Sequence, residues 1–284
     1  MSSVSENPLP AFEPDWLALR EEADAEARAT AALDPLRAHL AERGTGPGTH
    51  PLRVVDLGCG TGSQGRWLAP RLPGAQTWVL YDIDPGLLST AGARMPTRSA
   101  DGAPVRSRMC LRDLGSITGR DLLDVDLVTG SALLDVLTRD ALESVADAVT
   151  GAGCAALFTL SVTGRVELFP SDPADPPLTT AFNAHQRRGG RLGPDAVGVA
   201  EEMFRERGHR TLTFTSPWRL GHDRAPLGLA WLRGWVGAAR EQEPAAAPHG
   251  YLERRLGACG RGELGVIVHH TDLLVLPEGA TEHP

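Results

Sequence analysis

Residues 54–63 read Val-Val-Asp-Leu-Gly-Cys-Gly-Thr-Gly-Ser. A short apolar run meets an acid, Asp56, and then three alternating glycines, Gly58, Gly60 and Gly62. A buried parallel strand that turns sharply into a helix needs this order of residues. Glycine tolerates the turn's left-handed backbone and lets a ligand approach bare peptide.

The surrounding sequence repeats the strand–helix alternation. Strands are expected at 52–57, 76–82, 105–111, 125–130 and 154–161, and helices at 62–71, 85–93 and 138–150. That alternation predicts a doubly wound parallel sheet. Before it, Trp16, Leu19, Ala23 and Ala27 form a helical stripe, and Asp34-Pro35 is expected to end one helix and start the next. After residue 161 the pattern breaks. Residues 162–193 hold four prolines and a helical stretch from Leu178 to Arg188, and read as an insertion. Helix returns at 194–208, 226–243 and 248–258, with strands at 211–215 and 264–269, the latter extending to Leu273–Leu276.

A glycine-rich turn alone also fits a phosphate or dinucleotide loop, and Gly60, Gly62 and Gly65 match Gly-x-Gly-x-x-Gly. That match starts too far past the strand. The second strand ends in Tyr81-Asp82-Ile83-Asp84-Pro85. A carboxylate there accepts two hydrogen bonds from a ribose diol, a geometry shared with NAD enzymes. Asp84 is read as the cap of the following helix.

The decamer, the Asp82-Ile83-Asp84-Pro85 run, the Arg112-Asp113-Leu114 segment and the fourth-strand sequence Thr129-Gly130-Ser131-Ala132 together resemble class I S-adenosylmethionine (SAM) dependent methyltransferases. The resemblance covers about residues 52–160 and implies a Rossmann-like α/β fold, with a seven-stranded, mostly parallel doubly wound sheet. It implies SAM as cofactor, with S-adenosylhomocysteine (SAH) as product. Gly58, Gly60 and Gly62 would surround the methionine portion and Asp56 its amino group. Asp82 would hold the ribose, Ile83 would follow it along the wall, and Asp113 and Leu114 would meet the adenine. Ser131 would leave room at the sulfonium. Helices before the sheet close over the cofactor in this fold, so Arg20 is expected on the SAM carboxylate. Residues 1–48 are then a disordered lead and a lid helix, and 49–284 the methyltransferase domain, with 162–193 as substrate cap.

The segment after the fourth strand lacks several specialised chemistries. It has no Asn-Pro-Pro-Tyr motif, no Pro-Cys nucleophile and no two-glutamate loop. Asp135 alone is a poor magnesium site, and no metal is expected. What remains is methyl transfer to O, N or C of a small molecule. His185 is the expected general base, since an ordinary histidine titrates near neutrality. Asn183, Gln186, Trp16 and Trp218 are expected on the substrate, and His269-His270 as strand-end structure. Two alternatives stay open: a SAM-fold enzyme with other chemistry, and a non-catalytic SAM-binding module. The stretches Trp-Leu-Ala-Leu-Arg-Glu, Phe-Asn-Ala-His-Gln-Arg-Arg and Ser-Pro-Trp-Arg-Leu resemble actinobacterial methyltransferases, which implies no substrate.

Composition agrees with a soluble globular enzyme: 42% hydrophobic, 23% charged, net charge −8. All 28 basic residues are arginine and none forms a basic stripe, so nucleic acid is not the expected partner. Four dispersed cysteines and no apolar run of membrane-spanning length point to a reduced, cytoplasmic protein without a membrane partner. Monomer and homodimer remain equally open.

Overall fold

A sheet of eight strands runs through the computed structural model, which describes residues 13–44, 50–114 and 117–278. The lead expected before residue 13 lies outside the described residues. Five strands are mutually parallel: β1 (Leu52–Leu57), β2 (Gln76–Asp82), β3 (Val105–Leu111), β4 (Leu127–Ser131) and β5 (Ala155–Phe169). With β6 (His209–Thr215), β7 (Trp218–Leu220) and β8 (Gly265–Pro277), the order is β3-β2-β1-β4-β5-β8-β6. β8 runs antiparallel between β5 and β6, and β7 pairs its first half. The expected doubly wound sheet is present. The eighth strand is the three-residue β7.

The central parallel strands are apolar on both faces because helices cover both, whereas the edge strand β3 is largely exposed. On one face Val55, Leu57, Val128 and Phe158 meet α5 (Arg139–Ala152) and α7 (Ala196–Glu206) through Val145, Val149, Ala200 and Phe204. On the other, Val54, Trp78 and Leu80 meet α2 (Leu33–Glu42), α3 (Ser63–Leu68) and α4 (Pro85–Arg94) through Leu36, Trp67 and Leu88. No helix among the described residues is long and apolar enough to cross a membrane.

Two expectations need correction. The first helix, α1 (Pro14–Ala27), ends at Arg28, not at Asp34-Pro35. Arg28 is extended at φ −53°, ψ 130°, and the Ala29 N–H is taken by Asp272 Oδ2 at 2.8 Å. Pro35 falls inside the first turn of α2, where no intrahelical N–H is required.

The second concerns residue 161. β5 continues to Phe169 after register shifts near Phe158–Ser161 and Val162–Val166. Its far half, with β7 and the start of β8, makes an antiparallel arm beyond the carboxyl edge of the sheet. α6 (Asp175–Gln186), α8 (Ala225–Gln242) and α9 (Tyr251–Gly260) pack on that arm around Leu168, Leu178, Trp218, Trp235 and Val266. The insertion thus begins as strand and continues as part of a helical lobe.

Candidate binding cavity

A cavity of about 290 Å³ opens where the carboxyl ends of β1, β2 and β4 meet α1. Open parallel sheets place ligands at this edge, in the crevice where strand order reverses. Here the reversal lies between β1 and β4.

The floor is the loop between β1 and α3. Its three glycines all have left-handed φ: 58° at Gly58, 54° at Gly60 and 83° at Gly62. The turn is closed by the Gly62 N–H donating to the Cys59 carbonyl at 2.8 Å. A Cβ on Gly62 would stand 3.2 Å from the Ala91 backbone, so the residue is fixed by space as well as by φ. All three expected glycines lie in this loop, and Gly58 and Gly60 line the cavity.

Asp82 lines the cavity from the end of β2. Its Oδ2 accepts from the Gly60 N–H at 2.8 Å and its Oδ1 from the Asp84 N–H at 3.0 Å. The carboxylate is therefore aimed by the glycine loop, and each oxygen keeps a second lone pair for a ligand. Asp84 caps α4, accepting from the Gly86 and Leu87 N–H groups at 2.7 and 3.0 Å. Ile83, 45% exposed, adds an apolar wall beside Asp82. Leu114 is buried and also lines the cavity, whereas Asp113 is exposed and lies outside the lining. The turn after β3 sends the leucine into the core and leaves the acid outside the cavity.

Beneath the loop lies a polar floor that costs free energy to bury. Asp56 is fully buried; Thr129 Oγ1 donates to its Oδ1 at 2.7 Å, and its Oδ2 has no partner. Burial pushes its pKa up to about 7, against the Thr129 hydrogen bond and the Arg28 charge. Gln64 Oε1 accepts from Thr159 Oγ1 at 3.1 Å, while its Nε2 has no partner.

Arg28 is the residue that sequence reading missed. It is 2% exposed, and its Nη2 donates to Ser63 Oγ and Ser131 Oγ at 3.0 Å each. Its Nη1 is buried without a partner, and burial pulls its pKa down. Ser63 and Ser131 both line the cavity, so the guanidinium lies one hydroxyl behind the wall. An arginine at a helix end carries no sequence signal for such a place.

α1 forms the roof through Leu17, Arg20 and Asp24. Arg20 Nε donates to Asp24 Oδ2 at 2.9 Å, and its guanidinium lies 5.0 Å over the Trp218 ring. Trp218 Nε1 donates to Asp24 Oδ1 at 3.0 Å, and Trp16 meets Trp218 edge-on at 6.3 Å. Arg20 therefore faces the cavity as expected but is already paired. Trp16 and Trp218 support it from behind and do not line the cavity.

The expected substrate residues of the insertion lie elsewhere. α6 turns its apolar face, Leu178 and Ala181, into the lobe core. Its last turn consequently reaches the end of α8, where His185 Nε2 lies 3.1 Å from Glu241 Oε2. Asn183 Nδ2 donates to the Gly164 carbonyl at 2.9 Å, tying α6 to β5. Gln186 packs against Gly193. None of His185, Asn183 and Gln186 lines the cavity. Among the described residues no group of three or more His, Cys, Asp or Glu side chains is placed to hold a metal ion.

No family model matches the chain, and no curated protein matches it. Solved structures do. The cyclopropane synthase MmaA2 from Mycobacterium tuberculosis superposes with a TM-score of 0.50 at 14% identity, over 93% of this chain and 94% of that one. SAM-dependent methyltransferases from Geobacter sulfurreducens and Thiobacillus denitrificans, each solved with SAH, give TM-scores of 0.45 and 0.46 at 14% and 13% identity. They cover 94% and 95% of this chain, and 99% and 100% of their own. At such identity the likeness to MmaA2 is one of fold: the chain shares a Rossmann-like α/β fold with it.

Proposed function

We propose that the chain is a SAM-dependent methyltransferase acting on a small-molecule acceptor. The observation that carries this reading is the set of unpartnered atoms under the glycine loop. Two are donors, Arg28 Nη1 and Gln64 Nε2, and one is an acceptor, Asp56 Oδ2. Buried polar atoms left unpaired are costly, and native folds keep few of them. A zwitterionic amino-acid head brings the complement, a carboxylate for the donors and an ammonium for Asp56. Asp82 suits a ribose diol next along the cavity, and Ile83 and Leu114 suit the face of a flat ring. A bare dinucleotide phosphate would have no use for a buried carboxylate at Asp56.

When bound, SAM supplies an electrophilic methyl carbon on a cationic sulfonium. The chain's own residues hold its head group and ribose, exclude water and fix the direction of approach, which is where much of the acceleration of an in-line displacement arises. α1 acts as the lid in this reading. Arg28, rather than Arg20, takes the carboxylate.

Calorimetry with SAH tests the reading. It should show one site per chain with a Kd on the order of micromolar, and no binding of NAD. Losing a charged hydrogen-bond partner costs about 1.5–3 kcal/mol, so Asp82→Ala should weaken SAH by roughly tenfold or more. Absence of SAH binding would overturn the proposal.

A further inference from the structure

The catalytic carboxylate of this site is Asp135, we propose: it hydrogen-bonds the methyl acceptor and takes its proton. This rests on the reading of the cavity as a SAM site. It gives the site the base that His185 does not provide, and it assigns the acceptor to molecules whose nucleophile is an O–H or N–H group.

Placement carries the argument. β4 ends at Ser131, and the chain then kinks through Ala132, whose φ of +51° is unusual for a residue with a Cβ. The kink is held by the Ala132 N–H donating to the Thr159 carbonyl at 2.8 Å. It leads into the short 3-10 turn Leu134–Val136. Leu133 and Val136, on either side of Leu134-Asp135, both line the cavity. Asp135 itself is not among the lining residues; it sits just behind the wall at the end of β4, in the turn between two residues that do line the cavity.

The side chain is 8% exposed and its Oδ1 has no partner. Two more buried polar atoms without partners occupy neighbouring strands at the same edge: Ser161 Oγ on β5 and His270 Nδ1 on β8. His270 stacks at 5.2 Å against Trp218, the ring under Arg20. A polar acceptor that reached this edge would find these groups unpaired. Burial pushes the Asp135 carboxyl up to about 6, so it is ionised at neutral pH and still basic enough to receive a proton.

In the step proposed, the acceptor's O–H or N–H bond breaks and its proton goes to Asp135 Oδ1. The electron pair so freed on that oxygen or nitrogen makes the new bond to the methyl carbon. The departing sulfur keeps the pair of the broken carbon–sulfur bond.

Sinefungin, a SAM analogue with a protonated amine in place of the transferable methyl, tests this without a known acceptor. Its ammonium reports a carboxylate at the acceptor position, and SAH serves as the reference for the rest of the site. Wild-type protein should bind sinefungin about tenfold more tightly than SAH, since a charge-assisted hydrogen bond is gained. Asp135→Asn should abolish that preference and leave SAH affinity within about twofold, which also reports an intact fold. Equal affinities in the wild type, or a preference that survives Asp135→Asn, would overturn the assignment while leaving the cofactor reading standing. Should the variant not fold, the wild-type ratio alone decides. Failure of SAH itself to bind would remove the cofactor reading, and this assignment with it.

Discussion

Asp56 shows at the scale of one residue what the proposed binding site costs the fold. Its carboxyl titrates at about 7 in the fold against an ordinary 3.8, because burial removes water and Thr129 replaces only one oxygen's solvation. The sign follows from proton counting. Between those two values the folded protein holds more protons than the unfolded chain, so stability falls as pH rises through the window and the loss is complete above about pH 7. Asp56→Asn should therefore raise the stability of the ligand-free protein by about 1–3 kcal/mol near pH 8, with the gain vanishing toward pH 4. Thermal unfolding across that range reads it. The same variant should bind SAH more weakly. A variant equally destabilised at every pH would mean that Asp56 is a structural acid. Asp56, Asp82 and the glycines were legible in the sequence because strand, turn and acid follow one another along the chain. Arg28 was not, since its partners Ser63, Ser131 and Thr159 come from three distant segments.

Among the elements, α1 is the one whose attachment differs in kind. Only Ala23 and Asp24 of its 14 residues are buried, so apolar burial does little to hold it. Beside the buried Asp24–Trp218 hydrogen bond, four ion pairs hold it. Glu21 reaches Arg66 of α3 at 2.5 Å and Arg94 of α4 at 3.2 Å; Arg224 reaches Glu22 at 3.1 Å and Glu26 at 2.5 Å. Burial alone would raise the Glu21 carboxyl, but the two arginines bring it below its ordinary value. Partly exposed pairs are screened by salt. If α1 is the lid, Glu21→Gln should speed SAH release about two- to fivefold, and so should raising ionic strength. Stopped-flow tryptophan fluorescence would follow the release. A rate indifferent to both would mean that the ligand leaves by another route. The helix was legible from Trp16, Leu19, Ala23 and Ala27, but its end was not. Asp34-Pro35 carries the stronger local signal, and the break at Arg28 is set by the side chain turning inward toward the sheet.

For the whole molecule, legibility divides along the same line as the sheet. The parallel half was readable to within a few residues, because apolar runs and glycine turns are local. The helical lobe was not. β5 passes residue 161 as alternating exposed and half-buried positions, a strand pattern that Gly164 and the four prolines at 170–177 obscure. α6 and α9 are joined by a buried network in which Arg255 Nη2 meets both Asp175 oxygens at 2.8 Å and Tyr251 Oη donates to Asp175 at 2.5 Å. Those contacts span more than 70 residues and decide which face of α6 turns inward. His185 illustrates the cost: its chemistry was legible and its position was not. In the proposed function the polar floor under the glycine loop receives an amino-acid head group. A crystal structure with SAH tests it most directly. The carboxylate should lie against Arg28 and Gln64, the ammonium on Asp56 and the ribose diol on Asp82. SAH bound with its head group away from Arg28, Gln64 and Asp56, or seated outside this cavity, would contradict it.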